Sequence, residues 1–358
     1  MSRALPLLFE RYPALDRHVA WLPLGTFPTR IDTVNVIDAA GRERSVLVKR
    51  EDLCSETYAG NKVRKLEFIL AQARRREAGR LITVGAAGSH HGLATAVHGR
   101  ACGFGVSLVL FPQPLTPHVA DILLMDQAHG AEIRWIPRME LVPLALLRAR
   151  IAWRAERPYP VAAGGSDALG TLGWVNAGLE LADQIRSGET ERPSVIHVAA
   201  GTLGTAAGLA LGLALAGQPI RVAATRITSR LITNERTLAT LVRGAAAKLQ
   251  LAGVDSPVEE AIGMVEIRHG QIGRGYGKVT DEAAWAEAAF AAAGLRLDDT
   301  YTAKAAADLL STPADEPVLF VNTLSAAEPR DLVQSGTAAQ LPPAVASYLA
   351  GERAHASD

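Results

Sequence analysis

Short, uninterrupted apolar runs alternate along this chain with longer segments in which apolar residues recur at helical spacing. Runs of this length predict strands buried on both faces, and the periodic segments predict helices that cover them. The predicted strands are 47–49, 80–85, 106–110, 132–135, 194–199, 221–224 and 318–321. Predicted helices follow most of them, the longest at 140–156, 169–185 and 231–251. This alternation indicates parallel sheets covered by helices, which is the α/β fold class.

One turn places a lysine where a reactive group is expected. Gly60 and Asn61 follow a predicted strand and tolerate turn conformations, and Lys62 begins a predicted helix. Partial positive charge at the helix N-terminus, with Arg64 and Lys65 close in sequence, disfavours the ammonium form of Lys62. A lysine at a helix start is ordinarily a solvated surface charge. Reactivity at Lys62 is therefore a hypothesis that needs a second feature elsewhere in the chain.

A glycine-rich loop supplies that second feature. Residues 201–205, Gly-Thr-Leu-Gly-Thr, lie between a predicted buried strand and an apolar helix. Successive backbone N–H groups at a helix N-terminus bind anions, and Thr202 and Thr205 add hydroxyl donors. The loop lacks the Gly-Lys-Ser/Thr of a Walker A motif, and Leu203 breaks the dinucleotide pattern G-x-G-x-x-G. A monophosphate site paired with a reactive lysine predicts pyridoxal 5′-phosphate as the cofactor; a tight turn without a ligand is the alternative.

Composition narrows the range of partners. The chain has 358 residues, with 37 Lys plus Arg and 37 Asp plus Glu, so its formal net charge is zero. A neutral chain does not predict binding to nucleic acid or to an anionic membrane. Cys54 and Cys102 have no metal-ligand spacing and suit a reducing, cytoplasmic location, and no apolar stretch reaches membrane-spanning length. No carboxylate or cysteine completes a set with His90, His91 and His98, so no metal is predicted.

Five segments carry a resemblance to a known family. They are Lys49 to Asp52 with Ala59 to Glu67, Gly88 to His91, Gly164 to Trp174, Gly201 to Thr205, and Asp298 to Lys304. In this order they resemble the pyridoxal-phosphate enzymes of the tryptophan-synthase-β-like fold, specifically the D-cysteine desulfhydrase and 1-aminocyclopropane-1-carboxylate deaminase group. The matches extend from about residue 47 to residue 325, and the block at 61–67 is the most specific of them.

The resemblance implies a role for each matched residue. It implies that Lys62 is the Schiff-base lysine and that Lys65 helps to neutralise the phosphate. It implies that Ser89 lies before the substrate carboxylate and moves a proton, and that backbone amides of the 88–91 turn hold that carboxylate. The remaining expected contacts are His90 and His91 at the substrate, His90 and Thr302 at the cofactor ring, Gly201, Thr202, Leu203, Gly204 and Thr205 at the phosphate, and the catalytic tyrosines Tyr276 and Tyr301 on the substrate face.

The family fold also implies a domain arrangement. A large cofactor-binding domain is expected from residues 1–62 and 164–358, and a small inserted α/β domain from residues 63–163, with the cofactor between them. Each domain is expected to contain a parallel sheet, and the protein is expected to be a homodimer. Departures from the family pattern include Gly88 in place of glutamine and His90 in place of asparagine. These positions are expected to contact the substrate carboxylate and the cofactor ring. The identity of the substrate therefore does not follow from the resemblance.

The leading interpretation is a pyridoxal-phosphate lyase or deaminase that acts on a small amino acid by α-proton removal and β-elimination. The alternatives are a cyclopropane-carboxylate deaminase, a β-replacement enzyme, and a non-catalytic sensor that binds the cofactor or an amino acid. Thr302 separates the leading interpretation from the cyclopropane-carboxylate deaminase. The deaminase branch has a glutamate at this position, and its carboxylate keeps the pyridine nitrogen protonated. A threonine that donates to a neutral nitrogen leaves a weaker electron sink. The sequence therefore predicts pyruvate formation by β-elimination, with little turnover of the cyclopropane substrate.

Overall fold

The computed structural model describes residues 5–38, 40–312, 316–327 and 341–351. The chain divides into two compact units, the first from residues 1–69 and 165–326 and the second from residues 70–164 and 327–358. Each unit contains its own sheet, and helices pack against both sheets. The α/β class predicted from the apolar pattern is confirmed. No helix within the described ranges is long and apolar enough to cross a bilayer.

The first unit is built on a mixed sheet of six strands in the described residues. Its strands, in spatial order, are β1 (Ile31–Ile37), β2 (Glu43–Lys49), β10 (Val318–Val321), β7 (Val195–Ala200), β8 (Arg221–Arg226) and β9 (Val265–Arg268). Only β1 runs antiparallel to its neighbour, and the other pairs are parallel. The central strands β7 and β10 are buried along their whole length, which explains their uninterrupted apolar sequences.

The helices of the first unit cover this sheet. They are α1 (Leu7–Arg11), the start of α2 (Lys62–Arg75), α6 (Ala168–Arg186), α7 (Gly204–Leu215), α8 (Glu235–Gln250), α9 (Val258–Gly263), α10 (Asp281–Ala292) and α11 (Thr302–Leu310). Glycines bring α6 and α7 into close contact. A Cβ on Gly212 would lie 2.1 Å from the carbonyl oxygen of Val175, and one on Gly178 would lie 2.6 Å from that of Leu209. This packing fixes the N-terminus of α7, where the 201–205 loop ends.

The second unit contains a parallel four-stranded sheet. Its strands, in spatial order, are β5 (Glu132–Trp135), β4 (Gly105–Phe111), β3 (Arg80–Ala86) and β6 (Pro158–Pro160). Its helices are the rest of α2, with α3 (His90–Ala101), α4 (Pro117–Ala128), α5 (Val142–Ala152) and α12 (Pro343–Leu349). Ser89 caps α3 and Thr116 caps α4, because each side-chain oxygen accepts a backbone N–H of the first turn.

The observed units differ from the predicted domains at the start of the inserted segment and at the C-terminal helix. The second unit begins at Leu70 rather than at residue 63, because Phe68 packs in the same apolar core as Trp174. Residues 341–351, which the prediction assigned to the large domain, belong to the second unit. There the Tyr348 ring lies 4.8 Å from that of Trp135, centroid to centroid, and its hydroxyl donates to the carbonyl oxygen of Gln113 at 2.6 Å.

A buried ionic cluster holds the start of α2 in the first unit. Arg64 donates to the Glu51 carboxylate at 2.7 and 2.8 Å and to the Glu180 carboxylate at 2.7 and 2.9 Å. None of these three side chains is more than 2% exposed. Lys49 lies 3.8 Å from Glu180 and is fully buried. Ions in the interior remain charged only when they are paired, so this cluster fixes the rotation of α2 about its axis.

We expect Arg64→Met to lower the free energy of unfolding by about 3–5 kcal/mol, because it leaves two buried carboxylates without their partner. Arg75→Met, on the exposed face of the same helix, is the matched control and should change it by about 0.5 kcal/mol or less. Urea unfolding of the cofactor-free protein measures both values. Equal effects of the two substitutions would contradict a structural role for the cluster.

Candidate functional site

The turn before α2 is fixed by contacts to two distant segments. Gly60 has φ of +94°, and a Cβ at this position would lie 2.7 Å from the carbonyl oxygen of Thr323. The N–H of Asn61 donates to that carbonyl at 3.2 Å, and the carbonyl of Asn61 accepts from the Trp174 indole at 3.0 Å. Only glycine takes the backbone conformation at residue 60 without strain. Lys62 therefore begins the helix in a defined position.

The electrostatic surroundings of Lys62 favour its neutral form. Burial lowers the pKa of the Lys62 amine to about 8, and the Asp298 carboxylate opposes this shift only in part. An unperturbed lysine has a pKa of about 10.4. At neutral pH, Lys62 therefore contains far more neutral, nucleophilic amine than a surface lysine does. The sequence analysis attributed the disfavoured ammonium form to the helix N-terminus and neighbouring cations, whereas burial is the main cause of the lowered pKa.

The 201–205 loop forms an anion cradle at the N-terminus of α7. Leu203 has a left-handed backbone conformation, with φ of +62°, and precedes the first helical residue, Gly204. A non-glycine residue pays roughly 1–2 kcal/mol for this conformation. Alternation of right- and left-handed residues turns successive N–H groups towards one point, and the N–H groups of the first helical turn lack intrahelical acceptors. The strain is consistent with a loop shaped to bind a ligand.

Side chains around the cradle form a connected hydrogen-bond network. The Lys65 ammonium donates to Ser166 Oγ at 2.9 Å, and Ser166 Oγ lies 2.7 Å from Thr202 Oγ1. Thr205 Oγ1 accepts from the side-chain amide of Asn61 at 3.0 Å, so its own proton remains available to a ligand. The loop is thereby connected both to the Lys62 turn and to the start of α6.

The residues present fit a phosphate group. Lys65 is 1% exposed, and burial, with the positive charge of Lys62, lowers the pKa of its amine well below the usual range. A bound phosphate would offset both effects. A Cβ on Gly204 would lie 2.5 Å from Ser166 Oγ and 2.9 Å from Lys65 Nζ, so a larger residue would displace both groups. Lys62 would hold an aldehyde and the cradle a phosphate, which are the two groups that pyridoxal phosphate carries.

Two tyrosines lie beside this loop. The Tyr276 and Tyr301 hydroxyls are 2.7 Å apart, and their rings pack edge to face. A Cβ on Gly201 would lie 3.6 Å from the Tyr301 ring, which places the pair near the cradle. Burial raises the pKa of Tyr276 to about 12 and that of Tyr301 well above its usual value. Both hydroxyls therefore stay protonated at neutral pH.

Asp298 organises the segment that contains Tyr301 and Thr302. Its carboxylate accepts the backbone N–H groups of Thr300, Tyr301 and Thr302 at 3.2, 2.8 and 2.9 Å. The Thr302 hydroxyl donates to Asp298 Oδ1 at 2.6 Å and accepts the N–H of Asp298 at 2.7 Å. Asp298 thus holds the turn that leads into α11, since it satisfies N–H groups that have no helical partner.

The second unit holds the other predicted site residues, Ser89, His90 and His91. Ser89 Oγ accepts the N–H of Gly92 at 3.1 Å. The rings of His90 and His118 are joined by an Nε2–Nε2 contact of 3.1 Å. His91 is buried, and its Nε2 lies 2.8 Å from the Thr83 hydroxyl, which gives it a packing role within the unit.

The 88–91 turn offers fewer backbone donors than predicted. The N–H of Gly88 donates to the side chain of Gln113 at 3.1 Å, and the N–H of Ser89 donates to the carbonyl of Ala86 at 3.0 Å. The N–H groups of Gly88 and Ser89 are therefore not available to a carboxylate. Of the predicted backbone donors, those in the first turn of α3 remain.

Sequence reasoning missed three residues of the first unit that contact predicted site residues: Asn61, Ser166 and Asp298. Each falls inside a segment that carried the resemblance, but none was proposed as a contact. A signal existed for Asp298, because an aspartate side chain commonly accepts the backbone N–H two residues further on in a turn. No comparable signal existed for the pairing of Asn61 with Thr205, which are far apart in sequence.

Comparisons with known proteins give the family to which the chain is similar. The family model described as pyridoxal-phosphate dependent enzyme matches residues 23–323. The chain is 35% identical over 316 residues to a nocardicin C-9′ epimerase of Nocardia uniformis subsp. tsuyamanensis, covering 86% of this chain and 93% of the relative. It is 31% identical over 330 residues to a D-cysteine desulfhydrase of Salmonella paratyphi A, covering 87% and 94%. The solved structure of an ACC deaminase homologue matches with a TM-score of 0.74 at 29% identity, covering 90% and 95%.

We expect pyridoxal phosphate to attach covalently to Lys62 at a rate that rises with pH up to about 8 and then levels off. The reactive species is the neutral amine, whose fraction increases as pH rises through its pKa of about 8. Borohydride quenching of the cofactor-free protein at set times, followed by peptide mapping, measures the rate. Lys62→Arg is the control that reports attachment to surface lysines. Label on a different lysine, or a rate still rising tenfold per pH unit above pH 9, would refute this assignment.

Proposed function

The chain belongs to the family of pyridoxal-phosphate dependent enzymes, and on that basis we propose that it is a lyase that removes the α-proton of a small amino acid and eliminates its β-substituent. The products are the free β-substituent, a 2-keto acid and ammonia. The observation that carries this proposal is the combination of a low-pKa amine at Lys62 with the phosphate cradle at residues 201–205. The relatives named D-cysteine desulfhydrase support the choice of reaction.

Each proposed residue has a defined task. Pyridoxal phosphate, when bound, withdraws electrons from the α-carbon of the amino acid and so makes its proton easier to remove. Lys62 Nζ can accept and return a proton near neutral pH, because its pKa is about 8. The cradle and Lys65 bind the phosphate and fix the orientation of the cofactor. Tyr301 and Tyr276 remain protonated, and the hydroxyl that does not donate to the other tyrosine serves as a hydrogen-bond donor towards the substrate or the departing group.

The contribution proposed for the second unit is recognition of the substrate carboxylate. Ser89 caps α3, and the partial positive charge of a helix N-terminus favours an anionic ligand. The Ser89 hydroxyl accepts from the N–H of Gly92, so its own proton is available to donate to a carboxylate. His90 remains a proposed contact of the cofactor ring, whereas the packing of His91 against Thr83 leaves its predicted substrate contact without support.

A second candidate is epimerisation at the α-carbon, which the 35% identical nocardicin epimerase favours. Epimerisation begins with the same removal of the α-proton and ends when a proton is returned to the opposite face. Among substrates that carry an α-proton, those without a β-leaving group can follow only this course or remain unchanged. The two candidates therefore differ in what the substrate carries at its β-carbon and in how the proton is returned.

We expect pyruvate from one enantiomer of β-chloroalanine or cysteine, and no pyruvate from Lys62→Ala loaded with cofactor. The measurement is keto-acid release from D- and L-forms in D₂O, with chiral analysis and the deuterium content at the α-carbon of unreacted substrate. Deuterium incorporation with inversion, and no keto acid, would replace the lyase by an epimerase. A new β-substituted amino acid, formed when an added thiol is present, would indicate β-replacement. No reaction with any compound would support a cofactor-binding sensor instead.

We further propose that the protein acts in the cytoplasm as a homodimer, and that α5 forms the dimer contact. Helix α5 packs on β3 and β4 with one face, and its opposite face exposes Leu144, Leu147 and Ile151. Met139 and Leu141 extend this apolar stripe at its N-terminal end, and all five side chains are 38–55% exposed. Together they form a patch on the order of 400 Å², which is the size typical of interaction sites.

The charges beside the stripe suit a second copy of the same chain. Glu140 is exposed at one end of the stripe and Arg154 at the other, and neither has an ion-pair partner among the described residues. Two copies of α5 packed antiparallel about a two-fold axis would place Leu144 opposite Ile151 of the partner. The same axis would place Glu140 opposite Arg154 of the partner, so one arrangement satisfies both the apolar and the charged positions.

We expect Leu147→Glu to convert the dimer to a monomer, because two carboxylates would be buried near the two-fold axis. Leu251→Glu is the matched control, since Leu251 is 53% exposed and Leu147 is 55% exposed. Light scattering after size-exclusion chromatography measures the mass of each variant. A dimer that survives Leu147→Glu, or a wild-type protein that is monomeric at micromolar concentration, would contradict the proposed contact.

A further inference from the structure

The hydrogen bonds of Thr302 determine which way its hydroxyl proton points. Thr302 is 1% exposed, and its Oγ1 lies 2.6 Å from Oδ1 of Asp298. The Asp298 carboxylate already accepts three backbone N–H groups, from Thr300, Tyr301 and Thr302. In its contact with Thr302 the carboxylate oxygen again accepts, and the hydroxyl donates. The single proton of the Thr302 hydroxyl therefore lies in the bond to Asp298.

The remaining capacity of the Thr302 hydroxyl is that of an acceptor. One lone pair of Oγ1 accepts the N–H of Asp298 at 2.7 Å, and one lone pair is left. Any further partner of this oxygen must bring its own proton. A ligand nitrogen that carries only a lone pair would face another lone pair and would be left without a hydrogen bond, which is unfavourable at a buried position.

Electrostatic coupling places Asp298 among the site residues of the first unit. The Asp298 charge raises the pKa of Lys62, of Tyr276 and of Tyr301, in each case as a smaller effect than burial. Coupling of this kind requires proximity. Thr302 is bonded to Asp298 and follows Tyr301 directly, so it lies with the same group of side chains.

We propose that Asp298, acting through Thr302, holds the ring nitrogen of pyridoxal phosphate in its protonated form. This rests on the proposed function and on the expected contact of Thr302 with the cofactor ring. The pyridinium N–H would donate to Thr302 Oγ1, and the Thr302 hydroxyl donates to Asp298 Oδ1. The negative charge lies one hydroxyl away from the ring instead of directly beside it. Asp298 is a positioning residue, since it acts through Thr302 and not by contact.

This arrangement reverses what the residue type alone predicts. A threonine considered by itself can donate to a neutral nitrogen, and on that basis the sequence predicts a weak electron sink and little turnover of the cyclopropane amino acid. A threonine whose proton is committed to a carboxylate instead requires a protonated ring. A protonated ring is the stronger sink, so substrates without a good β-leaving group come within the range of this site.

The test uses the wild-type holoenzyme reconstituted with pyridoxal phosphate that carries ¹⁵N in the ring. We expect its ¹⁵N NMR signal at neutral pH in the shielded region of a pyridinium nitrogen. A signal in the region of a neutral pyridine nitrogen would overturn the proposal. This readout does not depend on turnover. An inactive protein with a pyridinium signal refutes only the lyase assignment. An active lyase with a neutral ring nitrogen refutes only the proposed action of Asp298 through Thr302.

Three variants test whether Thr302 and Asp298 cause the protonation of the ring nitrogen. Thr302→Val removes the hydroxyl and should move the signal towards the neutral form, whereas Thr302→Ser keeps the hydroxyl and should restore the wild-type signal. Asp299→Asn is the charge control, because Asp299 bonds Thr300 and not Thr302. It should leave the signal unchanged. A pyridinium signal that persists in Thr302→Val, or a signal lost in Asp299→Asn, would refute the role given to Thr302 and Asp298.

Discussion

The position of Lys62, the proposed attachment lysine, depends on the buried charge of Arg64 two residues further along the helix. The Arg64 guanidinium group binds protein carboxylates. Arg64 uses both edges of its guanidinium group on Glu51 and Glu180, and its face lies 3.9 Å from the ring of Phe27. Since an unpaired buried ion is far more costly than a lost surface contact, rotation of α2 is strongly opposed. The segment after β2, the first turn of α2 and the middle of α6 are thereby fixed relative to one another.

Once α2 is fixed in this way, its first turn presents two lysines on one side. Lys62 and Lys65 are three residues apart, so their side chains lie on neighbouring positions of the helix surface. Burial lowers the pKa of the Lys65 amine, and the positive charge of Lys62 lowers it further. Both effects disfavour the charged lysine in the protein alone, and a nearby anion would offset them. A phosphate bound at the proposed cradle would therefore recover this free energy, and its affinity would depend on the geometry set by Arg64.

Sequence predicted the parts of this site that are local and missed those that depend on distant pairing. The Lys62 turn and the 201–205 loop were recognisable because glycines beside a strand and a helix constrain the backbone over a few residues. The edge strand β1 was not predicted, because only Val36 of its seven residues is buried and the apolar pattern is correspondingly weak. The contact of Asn61 with Thr205, and that of Lys65 with Ser166, exist because α6 and α7 pack closely through glycines. A local residue pattern does not predict contacts between residues so far apart in the sequence.

The relation between the two candidate reactions follows from the same groups. Elimination and epimerisation both need a base that accepts the α-proton, and Lys62 can fill that role near neutral pH. They diverge at the next step, when either a β-substituent departs or a proton returns. Tyr276 and Tyr301 share one hydrogen bond and keep their protons, so one of them can donate without the pair becoming charged beforehand. Because burial raises both pKa values, the pair acts by donating a hydrogen bond rather than by giving up a proton readily. On the proposed assignment, Lys62 takes the α-proton in both reactions, and the substituent on the β-carbon of the substrate decides which reaction is completed.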